Sequence, residues 1–180
     1  SSAASDVYKR QVVQALNEDA QPITAPDGTV RGFPFAMEGF GILYNEEIMD
    51  AYFALPGAKV TSISELTSFD ALKTVAEDMQ ARKDELGIAG AFAATSLIAG
   101  EEWRWTNHLM NGPLHYEIVD RGVQEFSDMA ELEFTYGDNY RQLFDLYLQN
   151  STVTPTLAAA RATADAMAEF ATGKAAMVQN

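Results

Sequence analysis

Residues 32–45 read GFPFAMEGFGILYN, an apolar stretch that one charge and three glycines interrupt. Pro34 has no N–H to give to a central ladder, so the sequence predicts that a strand begins near Phe35. Asn45 is followed by two glutamates and by apolar residues at helical spacing. It is therefore predicted to cap a helix that ends by Pro56. The stretch as a whole predicts a strand, a bend, a second strand and a helix.

The bend in this stretch is a place where a ligand could come close. Gly39 and Gly41 flank Phe40. Glycines inside a strand pattern indicate a bulge, a bend or the close approach of a ligand or another backbone. Glu38 lies beside the bend and is placed to receive a ligand. The alternative is a solvent-exposed carboxylate at a bulge, which is the commoner situation for a charged residue.

The rest of the chain alternates between helix and strand patterns. The assigned segments are a capping-box turn at 62–65, a helix from Ser68 to Gly87, a buried strand over 88–95, a helix with an apolar stripe over 140–148, a helix from Thr163 to Gly173, and a strand from Ala175. Strands and helices in this order indicate an α/β layered fold.

Composition and charge exclude several classes of protein. The 180 residues are 47% hydrophobic and 21% charged, which is enough for a real core in one domain or slightly more. The formal net charge of −14, from 26 acidic and 12 basic residues, disfavours nucleic acid and anionic membrane surfaces as partners. No apolar run approaches the ~18 residues expected of a membrane span.

The chain carries no motif for a cofactor, a metal ion or covalent catalysis. It lacks cysteine, a Gly-x-Ser-x-Gly elbow and a phosphate-binding glycine loop. His108 and His115 are seven residues apart, but Gly112 and Pro113 between them should break the helical register. We therefore expect no metal site and no cofactor.

The segment of residues 101–108, EEWRWTNH, is the strongest compositional signal. Both tryptophans lie in it, and both histidines lie between Trp103 and His115. A helix is predicted from 101 to 110, with residues 111–113 as its stop. Its spacing predicts three faces: Trp103 with Asn107, Arg104 with His108, and Trp105 with Leu109 toward the core.

A flat aromatic ring beside carboxylate, guanidinium and amide groups suits a sugar. The ring covers the C–H face of the sugar while the polar groups bind its hydroxyls. The candidate ligand-binding residues are those at the bend and those on this helix: Glu38, Gly39, Phe40, Glu102, Trp103, Arg104 and Asn107. The alternative is that both tryptophans are core residues of an amphipathic helix.

Two other classes of function stay open from the residues alone. Glu38 and Glu102 could be the acid and base of a glycoside hydrolase, although sequence does not give the separation of their carboxylates. A structural or adhesive acidic domain is the other class. It would leave the glycine bend, Glu38 and the tryptophan segment without a role.

Three segments resemble the extracellular solute-binding proteins of ABC importers, in the carbohydrate branch that includes maltose-binding protein (family 1). Residues 32–45 match the family's strand leading to Tyr-Asn, and residues 102–109 are similar to its oligosaccharide-binding members. Residues 170–180, FATGKAAMVQN, closely resemble the family's Phe-x-x-Gly-Lys-Ala-Ala-Met stretch. The resemblance covers roughly residues 12–180.

This resemblance implies a periplasmic-binding-protein-like (type II) fold, in which two α/β lobes close on a sugar without covalent chemistry. In the family, the stretch matching residues 35–44 crosses between the lobes. The residue matching Glu38 faces the cleft, and the aromatic matching Trp103 often stacks on sugar. The implied receptor is not an enzyme. Its partners are an oligosaccharide and ABC permease subunits, and the full-length protein is expected to be an extracellular or periplasmic monomer, held by a lipid anchor.

Two departures from the family pattern matter, the first for local packing, because it loses a tryptophan, and the second for the extent of the domain. Residues 62–66, SISEL, stand where the family commonly has Thr-Trp-x-Glu-Leu. The family also continues beyond Asn180 with glycine and often another sugar-stacking tryptophan, and it begins with a lipoprotein signal and a whole first lobe. We therefore expect a truncated lobe. Residues 1–34 would be a remnant of the first lobe, and residues 35–180 a second lobe that is incomplete at its C-terminal end.

Overall fold

The computed structural model describes residues 22–33, 39–123 and 131–179. The chain forms two compact units, Ser1–Gly39 and Phe40–Asn180. The described part of the first unit contains an antiparallel hairpin of β1, Ile23–Thr24, and β2, Val30–Gly32. The strand predicted near Phe35, and Glu38 with it, lie outside the described residues.

A three-stranded mixed sheet lies within the second unit. Its strands are β3, Ile42–Tyr44, β4, Gly90–Phe92, and β5, Ala175–Gln179. β5 is the middle strand, antiparallel to β3 and parallel to β4. Every residue of β5 is buried, which is typical of a central strand covered on both faces. The α/β class predicted from the sequence is confirmed.

Helices pack against this sheet. Those in the described residues are α1, Glu46–Phe53, α2, Phe69–Ala81, α3, Lys83–Leu86, α4, Met110–Asp120, α5, Gly137–Gln149, α6, Pro155–Ala158, and α7, Thr163–Ala171. A 3₁₀ turn covers Ile63–Glu65, and a π-helical segment, Arg104–Leu109, leads directly into α4. No helix in the described part of the chain is long and apolar enough to cross a membrane.

Most helix ends form where local sequence signals place them. Asn45 and Ser68 each accept a hydrogen bond from the backbone N–H three residues later, at 3.2 Å in both cases. Glu65 accepts the Ser62 N–H at 3.1 Å, which is half of the predicted capping box. Gly173 follows α7 with φ of 71°, the left-handed conformation that glycine adopts freely. These predictions from the sequence are confirmed.

The predicted helix stop at residues 111–113 is wrong, because the helix continues to Asp120 with Pro113 inside it. In an α-helix a proline leaves the carbonyl four residues earlier without a partner and clashes with it. For Pro113 that carbonyl belongs to Leu109, the last residue of the π-helical segment. The π-helical segment, with its i→i+5 hydrogen bonding, ends four residues before Pro113, and the helix continues past the proline.

A buried carboxylate holds the connection between α4 and α5. Glu117 accepts the backbone N–H of Glu133 at 2.7 Å and of Thr135 at 2.9 Å, and it pairs with Arg121 at 3.2 Å. The Glu133 hydrogen bond, with those of Thr135 and Arg121, keeps the pKa of Glu117 below its ordinary value despite burial. Glu117 therefore ties residues 133–135 to α4.

Candidate functional site

The strand register places Phe40 at the edge of the sheet where β5 ends. Ile42 pairs with Gln179, and Phe40 lies two residues before Ile42. Because β4 runs parallel to β5, the residues that follow it, 93–96, reach the same edge. In α/β proteins, ligands bind outside the carboxyl ends of the strands. This edge is therefore the natural place to look for a solute site.

Four side chains meet here and are called the aromatic cluster: Phe40, Trp103, Arg104 and His108. The Phe40 and His108 rings stack with centroids 4.4 Å apart and planes within 4°. Trp103 meets the His108 ring edge-on at 5.0 Å, and the Arg104 guanidinium carbon lies 4.1 Å from the centroid of the Trp103 ring. Phe40 is 46% exposed and Trp103 is 42% exposed. The cluster thus presents two large, partly open aromatic rings.

The two tryptophans have opposite environments. Trp105 is 1% exposed and packs on Phe144 with ring centroids 4.2 Å apart. The Tyr140 hydroxyl donates to the Trp105 carbonyl oxygen at 2.7 Å. Leu109 is buried in the same core. The prediction that Trp105 and Leu109 face the core is confirmed, and Trp103 is the exposed tryptophan of the pair.

Glu101 anchors the segment that leads to Trp103, a role that sequence reasoning missed. Its carboxylate accepts the backbone N–H and the hydroxyl of Thr163, both at 2.6 Å. Thr163 is the first residue of α7, and Ala162 before it has no side-chain oxygen to cap the helix. The Thr163 hydroxyl and N–H keep the pKa of Glu101 below its ordinary value. Glu101 therefore replaces the missing cap and ties the Trp103 segment to α7.

The other predicted site residues are distributed as follows. Glu102 and Asn107 are exposed on the same segment as Trp103, and the Glu102 carboxylate accepts the Gly100 N–H. Gly39 belongs to the first unit, whereas Phe40 begins the second. Glu38 lies outside the described residues, so its distance from Glu102 is not defined. The structure thus brings together three of the predicted residues: Phe40, Trp103 and Arg104.

Two polar residues at this edge were missed as ligand groups. His108 was weighed only as a metal ligand, yet it lies between Phe40 and Trp103, and its Nδ1 atom is buried without a partner in the described residues. Gln179 ends the apolar run of β5, and neither of its buried amide atoms has a partner there. The sequence signal that could have identified Gln179 is a polar residue at the end of an otherwise apolar strand. Within the described ranges, no group of three His, Asp or Glu residues could hold a metal ion.

A family model described as bacterial extracellular solute-binding protein matches residues 3–180. The chain belongs to this family. Neither the curated proteins nor the solved structures gave a match. Membership indicates a solute-binding receptor that serves an ABC transporter outside the cytoplasmic membrane, with permease subunits as partners. The family is normally non-enzymatic, and nothing in the match supports a glycoside hydrolase.

Proposed function

We propose that this solute-binding protein is a sugar receptor of the carbohydrate branch and that its solute is a neutral oligosaccharide. The observation that carries the proposal is the half-open Trp103 ring beside Phe40. Arg104 lies over Trp103 at 4.1 Å, so the solute would use the ring surface that Arg104 leaves open. Aromatic faces of this kind cover the C–H face of a pyranose.

Polar groups around the aromatic cluster would bind the hydroxyls of the sugar. Glu102 and Asn107 are exposed next to Trp103 and offer acceptors and donors. Glu38 is assigned to the same solute from the sequence resemblance, and Gly39 from the glycine bend in the sequence. The net charge of −14 favours a neutral solute over an anionic one. No covalent step is assigned to any of these residues.

The receptor would work by closing two lobes on the sugar. Residues 35–180 are assigned to the second lobe, and residues 1–34 to the end of the first lobe before the crossing strand. The assignment rests on the sequence resemblance at both ends of this range. In the cell we place the receptor at the outer face of the membrane with a lipid anchor, delivering sugar to permease subunits.

Calorimetric titration of the full-length protein tests the proposal. Maltotriose, cellotriose and xylotriose are titrated in turn, with single amino acids and a tripeptide as controls. Saturable heat with at least one trisaccharide, and none with the controls, is the expected result. Binding confined to the amino acids or the tripeptide would remove the protein from the carbohydrate branch.

Chromatography of the sugar after a long incubation tests the enzyme alternative. A receptor returns the trisaccharide intact. Cleavage that disappears in Glu38→Gln or Glu102→Gln would make the pair catalytic and would reassign the protein as a glycosidase.

A further inference from the structure

Gln179, the last residue of β5, is an unusual residue for the middle strand of a sheet. It is 8% exposed, and both the nitrogen and the oxygen of its amide are buried without a hydrogen-bond partner in the described residues. The other four residues of β5 are alanine, methionine and valine. Buried polar groups are nearly always hydrogen-bonded, because an unpaired one keeps its desolvation cost. A leucine or methionine here would avoid that cost.

The position of Gln179 links it to the aromatic cluster. It pairs directly with Ile42 of β3, two residues from Phe40. Directly paired residues of antiparallel strands project to the same face, so its side chain lies on the face that carries Ile42 and Met177. That face packs into the same core as Leu109, the residue after His108. The unpaired amide is therefore at the end of β5 that lies nearest Phe40.

We propose that Gln179 is a specificity-determining residue of the solute site, and that its amide gives one donor and one acceptor to hydroxyls of the bound sugar. This inference rests on the proposed sugar-binding function. An amide matches a pair of neighbouring hydroxyls, each of which can donate and accept. The unpaired Nδ1 of His108, whose ring stacks on Phe40, supplies a second polar group.

The amide atoms are covered in the structure, so a side chain must move before the sugar reaches them. Phe40 is assigned this movement. It is half exposed, it stacks on His108, and it lies two residues from Ile42, the β3 partner of Gln179. The sugar would replace Phe40 as the partner of the His108 ring.

The test uses the full-length protein with Gln179→Leu, Gln179→Met and the control Met177→Leu, which changes a buried β5 neighbour on the same face. Each variant is melted and titrated with the trisaccharide that binds wild type most tightly, and with its monodeoxy analogues. We expect both Gln179 variants to melt at or above the wild-type temperature while binding the trisaccharide about 5- to 100-fold more weakly. Met177→Leu should bind as wild type does.

The deoxy sugars separate a direct contact from a structural effect. Wild type should lose affinity for the analogue that lacks the hydroxyl facing Gln179, whereas the Gln179 variants should bind that analogue and the parent sugar equally well. Unchanged affinity in both Gln179 variants, or the same deoxy profile as wild type, would overturn the assignment of Gln179 alone. If wild type binds no trisaccharide, the proposed sugar function fails and this inference fails with it.

Discussion

Replacing each tryptophan by alanine should separate solute binding from stability. Trp103→Ala in the full-length protein should weaken sugar binding by about 1–3 kcal/mol, the range of a well-covered aromatic contact. Its free energy of unfolding should change little, because the ring is 42% exposed before any solute arrives. Trp105→Ala should instead cost about 3–5 kcal/mol of stability, because its ring is 1% exposed and packs 4.2 Å from Phe144.

Phenylalanine variants sharpen this comparison. Trp105→Phe keeps an aromatic ring and removes an indole N–H that is buried without a partner in the described residues, so it should be much milder than Trp105→Ala. Trp103→Phe should retain part of the affinity because a smaller ring can still stack. Binding of both pairs is measured by calorimetric titration and stability by thermal and denaturant melts.

Two outcomes would refute the separate roles of the tryptophans. A Trp103→Ala variant that melts at a lower temperature yet binds sugar normally would show that Trp103 is a core residue and does not contact the sugar. A Trp105→Ala variant that keeps its stability but loses affinity would move the solute contact to Trp105. The burial of the two rings predicts neither outcome.

Four further substitutions test other parts of the structure. Glu117→Gln should lower the thermal midpoint of unfolding at pH 7, and the decrease should be smaller at pH 3. The pKa of Glu117 is lower folded than unfolded, so its stabilisation is complete above the ordinary carboxylate pKa and is lost as pH falls through the folded value; equal losses at both pH values would contradict this. Glu101→Gln should lower the melting temperature and weaken sugar binding modestly, because α7 loses its charged cap at Thr163; an unchanged melt would show the cap to be dispensable. Gly90→Ala should lower the free energy of unfolding by about 1–3 kcal/mol in denaturant melts. The added Cβ would lie 2.4 Å from backbone atoms of residues 151 and 152. Gly112→Ala is the matched control: apart from its chain neighbours and its own helix, nothing lies within 4 Å of its Cβ, so it should cost less than Gly90→Ala, although the Pro113 ring that follows offsets the gain in helix propensity.

Local signals in the sequence predicted most of the helices and strands of the second unit. Asn45, Ser68 and Glu65 act through backbone groups three residues away, so a short window of sequence contains both partners. The apolar stripe of α5 and the glycine after α7 are equally local. The order of these elements then indicated an α/β fold before any tertiary contact was known.

The solute site could be predicted only in part, because its contacts join distant segments. Exposed Trp103 and buried Trp105 followed from helical spacing. The stack of Phe40 on His108 depends on how β3 meets the helix, which no local pattern records. Glu101 capping Thr163 likewise joins residues on separate elements. The sequence shows Gln179 only as the end of a strand, because the missing hydrogen-bond partner of its buried amide, in the described residues, is a feature of the tertiary structure.

The π-helical segment explains why the aromatic cluster departs from the predicted helix faces. In an α-helix, residues five apart are rotated by roughly 140° and do not meet. The i→i+5 hydrogen bonding of Arg104–Leu109 instead brings such residues to one side. Trp103 and His108 are five apart and meet at 5.0 Å, while Trp105 still reaches the core. An α-helical segment would break the contact between Trp103 and His108, so the wider turn is what brings these two rings together while Trp105 stays buried.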